Sequence, residues 1–243
     1  MARRRFFVDE VRAGRAHIFG GAAYHLARVL RIEPGQKFEI SDNRDVFLAE
    51  VDTVGKDLVS FSILDRLAPL QPVMRITLVA SLIRFERFEW LLEKATELGI
   101  EKIVPAQAER SEKGLDLAAQ KRVLRWRKIV REASEQSRRV RLPEVHAAMA
   151  LSKVLTVDAD FRYVLDEAAG ATPIASAMPA TRNADDRVAV LVGPEGGWTD
   201  RERAAIVEQR WLPVGIGTTI LRTETAAIAG LAVIIAFWQN KGA

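Results

Sequence analysis

The strongest constraint on the fold is a pair of strand–loop–helix segments near the C-terminus. The first is RVAVLVGPEGGWTDRE (187–202) and the second is WLPVGIGTTILRTETAAIAGL (211–231). In each segment a short apolar run is followed by glycine and a polar loop, and then a helix begins. Ligand sites in α/β sheets gather at the carboxyl ends of the strands. The two loops are therefore predicted to form the walls of one pocket.

The first segment predicts a buried strand and a helix with a defined start. Residues 188–192 are all apolar and mostly β-branched, which is typical of a buried strand. Thr199 and Glu202 have the spacing of a capping box, so we expect the helix to begin at Asp200.

The loop of this segment carries three glycines and a carboxylate. Glycine leaves room where the backbone must turn or a ligand must approach closely, although an ordinary βα turn can have the same composition. Neither GxGxxG nor GxxxxGK[ST] occurs here, which argues against a dinucleotide or a nucleoside triphosphate as the ligand. Glu195 is unsuited to cradling phosphates and suits a cationic or hydroxyl-bearing ligand better.

The second segment predicts a strand over 212–216, a loop over 217–221 and a helix that ends near Trp238. Thr223 or Thr225 is expected to cap this helix. The helix is apolar nearly all round, which is typical of a helix buried in a core or in a subunit interface. Its apolar run is shorter than the roughly 20 residues of a membrane span.

The N-terminal third has a different pattern. Short runs in which apolar and polar residues alternate, over 6–8, 37–40, 47–51 and 58–63, are accompanied by turn signals. This pattern predicts a small β-barrel, interrupted by one helix over 21–29. The sequence PLQP at 69–72 reads as a stiff linker. We therefore expect two domains, 1–70 and 73–243.

From residue 75 onwards, predicted strands alternate with predicted helices. The strands are expected at 76–82, 103–105, 163–165, 188–192 and 212–216. Strands separated by helices indicate an α/β fold with a mostly parallel sheet.

The composition excludes several classes of site. The 243-residue chain has no cysteine, which rules out disulfides, thiolate metal sites and cysteine nucleophiles, and its three histidines are scattered, so no metal site is predicted. No signal peptide is visible after the basic residues 1–5, so we expect a cytoplasmic protein without membrane association.

Positive charge is concentrated in two segments. Residues 1–31 and 110–141 carry net charges of +5 and +7, whereas the rest of the chain carries −8. Such asymmetry is typical of a nucleic-acid-binding surface, although a solvated basic helix face gives the same pattern.

Five sequence blocks resemble one known family. They are YHLARVLRIEPGQKFEI (24–40), RFEWLLEKATELGIEKIVPAQAERS (87–111), IVREASEQSRRVRLPEV (129–145), LVGPEGGWTDRE (191–202) and ILRTETAA (220–227). The family is that of the SPOUT-superfamily methyltransferases that act on uridine N3 in 16S ribosomal RNA. The resemblance implies a PUA-like β-barrel, then a methyltransferase domain with a C-terminal trefoil knot that holds S-adenosyl-L-methionine. It also implies a homodimer.

The resemblance also implies roles for individual residues. The cofactor would be held by Leu191, Gly193, Glu195, Gly196, Ile216, Gly217, Ile220 and Leu221, with Leu165 and Asp166 as a third wall. Arg222 is the candidate that stabilises charge on the uracil oxygens, and Glu224 is the second candidate catalytic residue. The candidate RNA contacts are Arg110, Ser111, Gln136, Ser137, Arg138, Arg28 and Arg31.

Several alternatives stay open at this point. Arg222 and Glu224 could instead form a structural ion pair at the helix start. The same fold could methylate transfer RNA or a ribose oxygen, or serve as a non-catalytic ribosome-assembly factor that binds RNA. Where the family usually has leucine-glycine-proline-arginine, this chain has Ile216-Gly217-Thr218-Thr219, so an arginine that could touch RNA is missing.

Overall fold

The computed structural model describes residues 4–69, 71–168 and 170–240. The chain divides by contact into two compact units. The first comprises the residues up to Gln71 and residues 131–142, and the second comprises 72–130 and the residues from Pro143 onwards. Among the described helices, none has the length and apolar character needed to cross a membrane.

The first unit is built on one six-stranded sheet. Its strands are β1 (Arg5–Phe7), β2 (Val11–Arg12), β3 (Arg15–Phe19), β4 (Lys37–Ser41), β5 (Val46–Val54) and β6 (Leu58–Leu67). They are arranged in the order β1-β4-β5-β6-β3-β2, in which only the β1–β4 pair is parallel. Two register shifts between β5 and β6 allow these long strands to bend, since bulges increase the local twist. The sheet is curled around its own apolar core.

The predicted helix of this unit is present, although its backbone changes along its length. Helix α1 spans Gly20–Tyr24 and continues as a π-helical turn over His25–Val29. Ala23 and Leu26 are buried in the core, whereas Tyr24 and Arg28 lie exposed on the outer face.

Residues 131–142 belong to the first unit because of a buried ion-pair cluster. Glu39 is only 6% exposed, and its carboxylate pairs with the guanidinium groups of both Arg5 and Arg138. The hydroxyl of Ser41 donates a hydrogen bond of 2.6 Å to the carbonyl of Val140. These contacts were not predicted, and the limits 1–70 and 73–243 stay our proposal for the two domains.

The second unit is an α/β structure with a fully parallel sheet. Its strands are β7 (Arg75–Ser81), β8 (Lys102–Gln107), β9 (Glu144–Val145), β10 (Met149–Ala150), β11 (Phe161–Leu165), β12 (Thr172–Pro173), β13 (Arg187–Val192) and β14 (Leu212–Gly215). Its helices are α2 (Phe85–Glu97), α3 (Leu115–Gln136, which runs on into the first unit), α4 (Leu151–Val154), a 3₁₀ turn (Ile174–Ala177), α5 (Asp200–Glu208) and α6 (Thr223–Gln239).

The order of the strands is β10-β8-β7-β13-β11-β14-β12, with β9 paired to β8. The sheet is covered on both faces, as the apolar strands predict. Val190 and Val192 pack into the core cluster that includes α2 and α6, while Ala189 and Leu191 pack into a second cluster that includes Trp198 and Trp211. Successive side chains of β13 therefore point to opposite faces of the sheet.

The starts of the two C-terminal helices differ in how well the sequence predicts them. The capping box is present, because Thr199 and Glu202 accept each other's backbone N–H groups and α5 begins at Asp200. Helix α6 is present and ends at Gln239, close to the predicted end, but the predicted cap was wrong. The N-cap residue is Arg222, for which no side-chain cap is seen among the described residues, and the helix begins at Thr223. The hydroxyl of Thr223 instead donates a 3.0 Å hydrogen bond to the carbonyl of Gly193.

Candidate functional site

A cavity of about 330 Å³ opens in the second unit. It lies at the carboxyl ends of three neighbouring parallel strands, β13, β11 and β14. Its walls are formed by the loops that follow these strands, by the start of α6 and by one side chain of α2. Both C-terminal loops thus meet at one cavity.

The first wall is the loop after β13, which is held in a tight conformation. Gly197 adopts a φ of +66°, and its N–H donates to the carbonyl of Pro194 at 2.9 Å. A Cβ atom on Gly193 would lie 3.0 to 3.1 Å from ring atoms of Trp198, which is only 4% exposed. A side chain at position 193 would therefore be tight against a buried indole, which would have to shift by a few tenths of an ångström.

The second wall runs from β14 to the start of α6. Ile216, Gly217, Thr219, Ile220 and Leu221 all line the cavity from this stretch. The hydrogen bond from Thr223 to Gly193 ties this wall to the first one.

The third wall is the end of β11. Leu165, Asp166 and Glu167 line it, as the sequence expects for the first two. The Asp166 carboxylate is held in place, because it pairs with Arg203 of α5 and accepts a 3.0 Å hydrogen bond from the N–H of Ala168. Asp166 is thus a fixed acceptor at the cavity edge.

Of the eight predicted cofactor residues, six line the cavity: Gly193, Glu195, Ile216, Gly217, Ile220 and Leu221. Leu191 does not, because the alternation of β13 points its side chain into the opposite core cluster. Gly196 does not line it either. A Cβ atom there would lie 3.1 Å from Cβ of Arg110, so position 196 faces Arg110.

Arg222 and Glu224, the two candidate catalytic residues, have different surroundings. Arg222 lines the cavity, its side chain is exposed, and it forms no ion pair with any residue that the structure describes. Glu224 is only 8% exposed and lies outside the cavity lining. Its carboxylate pairs with Arg87, at 3.9 Å, and not with Arg222. The alternative of an Arg222–Glu224 ion pair is therefore wrong.

Arg87 is a site residue that the sequence analysis missed. It lies in the first turn of α2, lines the cavity, and pairs with Glu195 as well as with Glu224. The one sequence signal for Arg87 is its position at the start of the block 87–111. The residues around it do not distinguish it from the other arginines of the chain.

The candidate RNA contacts of the second unit brace the backbone. The Arg110 guanidinium donates to the carbonyl of Gly196 at 3.0 Å, which supports the first loop from outside. The Ser111 hydroxyl accepts a long hydrogen bond of 3.4 Å from the N–H of Ala108. Contact of either residue with RNA stays a prediction.

The candidate RNA contacts of the first unit are exposed or engaged in local pairs. Arg28, Arg31 and Gln136 are exposed, while the Ser137 hydroxyl donates to the carbonyl of Ala133 at 2.7 Å. The Arg138 guanidinium is paired with Glu39. RNA contact of these five residues also stays a prediction.

Glu135, which directly precedes Gln136 in the sequence, has a carboxyl group with an altered pKa. Burial raises the pKa of Glu135 to about 7, against the opposing effect of the Arg131 guanidinium.

Comparison with known proteins supplies the decisive observation. Residues 69–235 match a family described as an RNA methyltransferase domain, and residues 20–64 match an RNA methyltransferase PUA domain. The chain belongs to this RNA methyltransferase family. Its fold is that of the SPOUT methyltransferases preceded by a PUA-like sheet, while the trefoil knot stays a prediction.

Curated members of the family match most of the chain. It is 32% identical over 226 residues to ribosomal RNA small subunit methyltransferase E of Bacillus subtilis (strain 168), with 89% of this chain and 88% of the relative covered. The protein of the same name from Mycobacterium bovis is 32% identical over 242 residues, with coverages of 94% and 90%.

A solved structure of the family extends the match to three dimensions. Ribosomal RNA small subunit methyltransferase E from Neisseria gonorrhoeae, bound to S-adenosyl methionine, aligns with a TM-score of 0.87 and 28% identity. The alignment covers 98% of each chain.

Proposed function

We propose that this protein methylates N3 of a uridine in 16S ribosomal RNA of the small subunit, with S-adenosyl-L-methionine as the methyl donor. The observation that carries the proposal is the cavity itself, built from the two glycine-bearing loops of an RNA methyltransferase family member. The names of the relatives support ribosomal RNA of the small subunit as the substrate. The S-adenosyl methionine bound in the aligned structure supports the identity of the cofactor.

The lining residues fit this cofactor. Ile216, Ile220 and Leu221 offer apolar surface to a flat ring, and Gly193 offers backbone without a side chain. Glu195 offers a carboxylate to hydroxyl groups or to a positive charge. The cofactor supplies an electrophilic methyl group that leaves a neutral thioether behind when it is transferred.

The protein's own contribution to the reaction lies in orientation and electrostatics. N3 of uracil lies between two carbonyl groups, and loss of its proton spreads negative charge onto their oxygens. Arg222 lines the cavity wall and forms no ion pair with the residues that the structure describes, so its charge is available to those oxygens. Orientation is the other contribution to catalysis. Holding the base in line with the methyl group lowers the activation free energy, and such orientation contributes about 7–11 kcal/mol in favourable systems.

The product of the reaction tests the proposal. We expect purified protein, incubated with small subunits that lack the modification and with the cofactor, to yield 3-methyluridine in nucleoside mass spectrometry. A ribose-methylated nucleoside, or methylation of transfer RNA only, would favour the alternative substrates. The absence of cofactor binding in calorimetry would favour the non-catalytic assembly factor.

Gly193→Ala is expected to weaken cofactor binding by about tenfold or more, because the new Cβ would be tight against the Trp198 ring and displace the first loop. Isothermal calorimetry on the variant measures this loss. Gly21→Ala is the control for a neutral glycine substitution, since a Cβ at position 21 meets nothing within 4 Å and this residue lies outside the cavity lining. Unchanged affinity in Gly193→Ala would show that the loop conformation is irrelevant to binding.

RNA is proposed to bind through the basic faces of the two units. In the second unit, Arg122 and Arg125 both pair with Glu89, so part of the charge of α3 is used internally. Lys121 and Arg127 are exposed and form no ion pair with any described residue. They are the better candidates for phosphate contacts.

Lys121→Glu with Arg127→Glu should weaken RNA binding and reduce its salt dependence, because fewer counterions would be released from the phosphates. Filter binding of a 16S fragment at several salt concentrations measures both effects. Cofactor affinity is the internal control and should not change. A wild-type affinity that hardly varies with salt would contradict an RNA-binding basic face.

The first unit offers a second RNA-binding surface with aromatic groups. Phe19 is 63% exposed and Tyr24 is 50% exposed, and Arg28 lies one helical turn beyond Tyr24. Exposed aromatic rings beside arginine are suited to stacking on unpaired bases.

The homodimer and the cytoplasmic location are part of the same proposal. The long apolar helix α6 keeps Ala232 and Ala236 exposed, which is compatible with a subunit interface. Sedimentation analysis decides the oligomeric state. The cytoplasmic location is supported by the names of the relatives, because they name ribosomal RNA as the substrate.

A further inference from the structure

One arginine outside both C-terminal loops connects two walls of the cavity. The guanidinium of Arg87, on α2, pairs with the carboxylate of Glu195 in the first loop. Its Nε atom also lies 3.9 Å from Oε1 of Glu224, in the first turn of α6. Arg87 therefore contacts one carboxylate from each of the two C-terminal segments.

The local sequence gives no reason for a cation at this position. Arg87 lies in the first turn of α2, where the positive end of the helix dipole disfavours a positive charge. Arg84, the N-cap residue of the same helix, adds a second cation there. The two carboxylates must therefore supply the interaction that stabilises Arg87 at this place.

Glu224 depends on Arg87 for its counter-charge. It is only 8% exposed, and among the described residues Arg87 is the only cation that pairs with it. Its Oε2 atom is buried and has no hydrogen-bond partner within residues 4–69, 71–168 and 170–240. A buried carboxylate without a counter-charge costs free energy. Glu224 therefore favours the conformation of the Arg87 side chain in which the two groups pair.

Glu195 depends on Arg87 for its position. Its side chain is 46% exposed and projects from a loop of glycines, where only a partner can hold it in one conformation. The three side chains together carry one positive and two negative charges. The resulting excess of negative charge favours a ligand that carries a positive group.

We propose that Arg87 is a positioning residue for the cofactor site. Buried Glu224 fixes Arg87, and Arg87 holds the Glu195 carboxylate at the cavity wall, where it accepts hydrogen bonds from a hydroxyl or ammonium group of the ligand. Glu224 thereby acts through Arg87 and does not itself touch the substrate. The inference rests on the proposed cofactor but not on the identity of the RNA.

A double-mutant cycle tests this chain of contacts by calorimetry with S-adenosylmethionine, without RNA. Arg87→Met and Glu195→Gln are each expected to weaken binding about tenfold, and the double variant is expected to bind about as well as Glu195→Gln alone. Arg84→Met is the matched control, since Arg84 makes an exposed pair with Glu112 and does not line the cavity. We expect its affinity to equal that of the wild type.

Two further variants keep the test valid if Arg87→Met is unstable. Arg87→Lys keeps the charge without the planar fork and should restore part of the affinity. Arg87→Met with Glu224→Gln removes the buried charge that would otherwise be left unpaired, so it should recover thermal stability without recovering affinity.

Losses that add in the double variant, or an unchanged affinity of the stable Arg87 variants, would overturn the positioning role. These results would leave the cofactor assignment intact, because the wild type would still bind. Wild-type protein that fails to bind S-adenosylmethionine would overturn the cofactor assignment and this inference with it. The two failures are thus distinguishable in one set of titrations.

Discussion

Arg222→Ala is expected to lower turnover by about 10²–10³-fold, with little change in cofactor affinity or in melting temperature. The reason is that the Arg222 side chain lines the cavity and has no ion pair with the described residues to lose. If the guanidinium acts only as negative charge develops on the uracil oxygens, its removal affects the rate and not the binding of the cofactor. Single-turnover kinetics, calorimetry and thermal unfolding on the same variant measure the three quantities.

Arg222→Lys separates charge from geometry. Lysine supplies a positive charge at this position but no planar fork, so we expect only partial recovery of the rate. Unchanged turnover in Arg222→Ala would exclude the catalytic role outright. A fall in melting temperature in parallel with turnover would instead show that Arg222 supports the start of α6.

The sequence predicts those parts of the site that depend on short-range chemistry. The capping box of Thr199 and Glu202 is visible in the sequence because both partners lie within one helical turn. The buried strand β13 is equally visible because five consecutive positions, Val188–Val192, are all apolar. Both loops therefore reach the cavity as predicted.

The sequence is less informative where position within an element decides the role. The side chain of Leu191 faces away from the cavity, whereas its neighbours along β13, Val190 and Val192, face the other side of the sheet. Its contact with the cofactor stays a prediction. A continuous apolar strand is buried on both faces, so its sequence does not show which residues point to the ligand. The helix start at Thr223 was misjudged for a similar reason, because its hydroxyl bonds to Gly193, far away in sequence.

The contacts that sequence reasoning missed are long-range ion pairs. Arg87 meets Glu195 across 108 positions, and Arg138 meets Glu39 across 99. Nothing in the spacing of 36 basic and 32 acidic residues predicts which ones will pair. Only the folded topology brings these groups together.

Trp126→Ala is expected to cause a large loss of stability. Trp126 lies on α3 and is fully buried, and its ring centroid is 4.9 Å from that of Phe88 and 6.1 Å from that of Phe85. Removing such a side chain leaves a cavity and costs about 3–5 kcal/mol in the free energy of unfolding. Urea unfolding followed by tryptophan fluorescence and circular dichroism measures the loss.

Substitution by phenylalanine distinguishes packing from hydrogen bonding. The Trp126 Nε1 atom is buried and has no hydrogen-bond partner in the part of the chain that the structure describes, whereas the Trp238 Nε1 atom donates to Asp186 at 2.9 Å. Trp126→Phe is therefore expected to cost less than Trp238→Phe, which removes the indole donor of the Asp186 carboxylate and leaves it, among the described donors, only the N–H of Asn183. Equal losses would contradict this assignment of the two indole groups.

Trp126→Ala should also weaken cofactor binding, although Trp126 does not line the cavity. The residues that Trp126 contacts, Phe85 and Phe88, flank Arg87 in sequence on α2. Looser packing of this helix would displace the guanidinium that holds Glu195, so affinity and stability should fall together. Cofactor affinity that stays at the wild-type value while stability falls would show that Arg87 keeps its position without the support of Trp126.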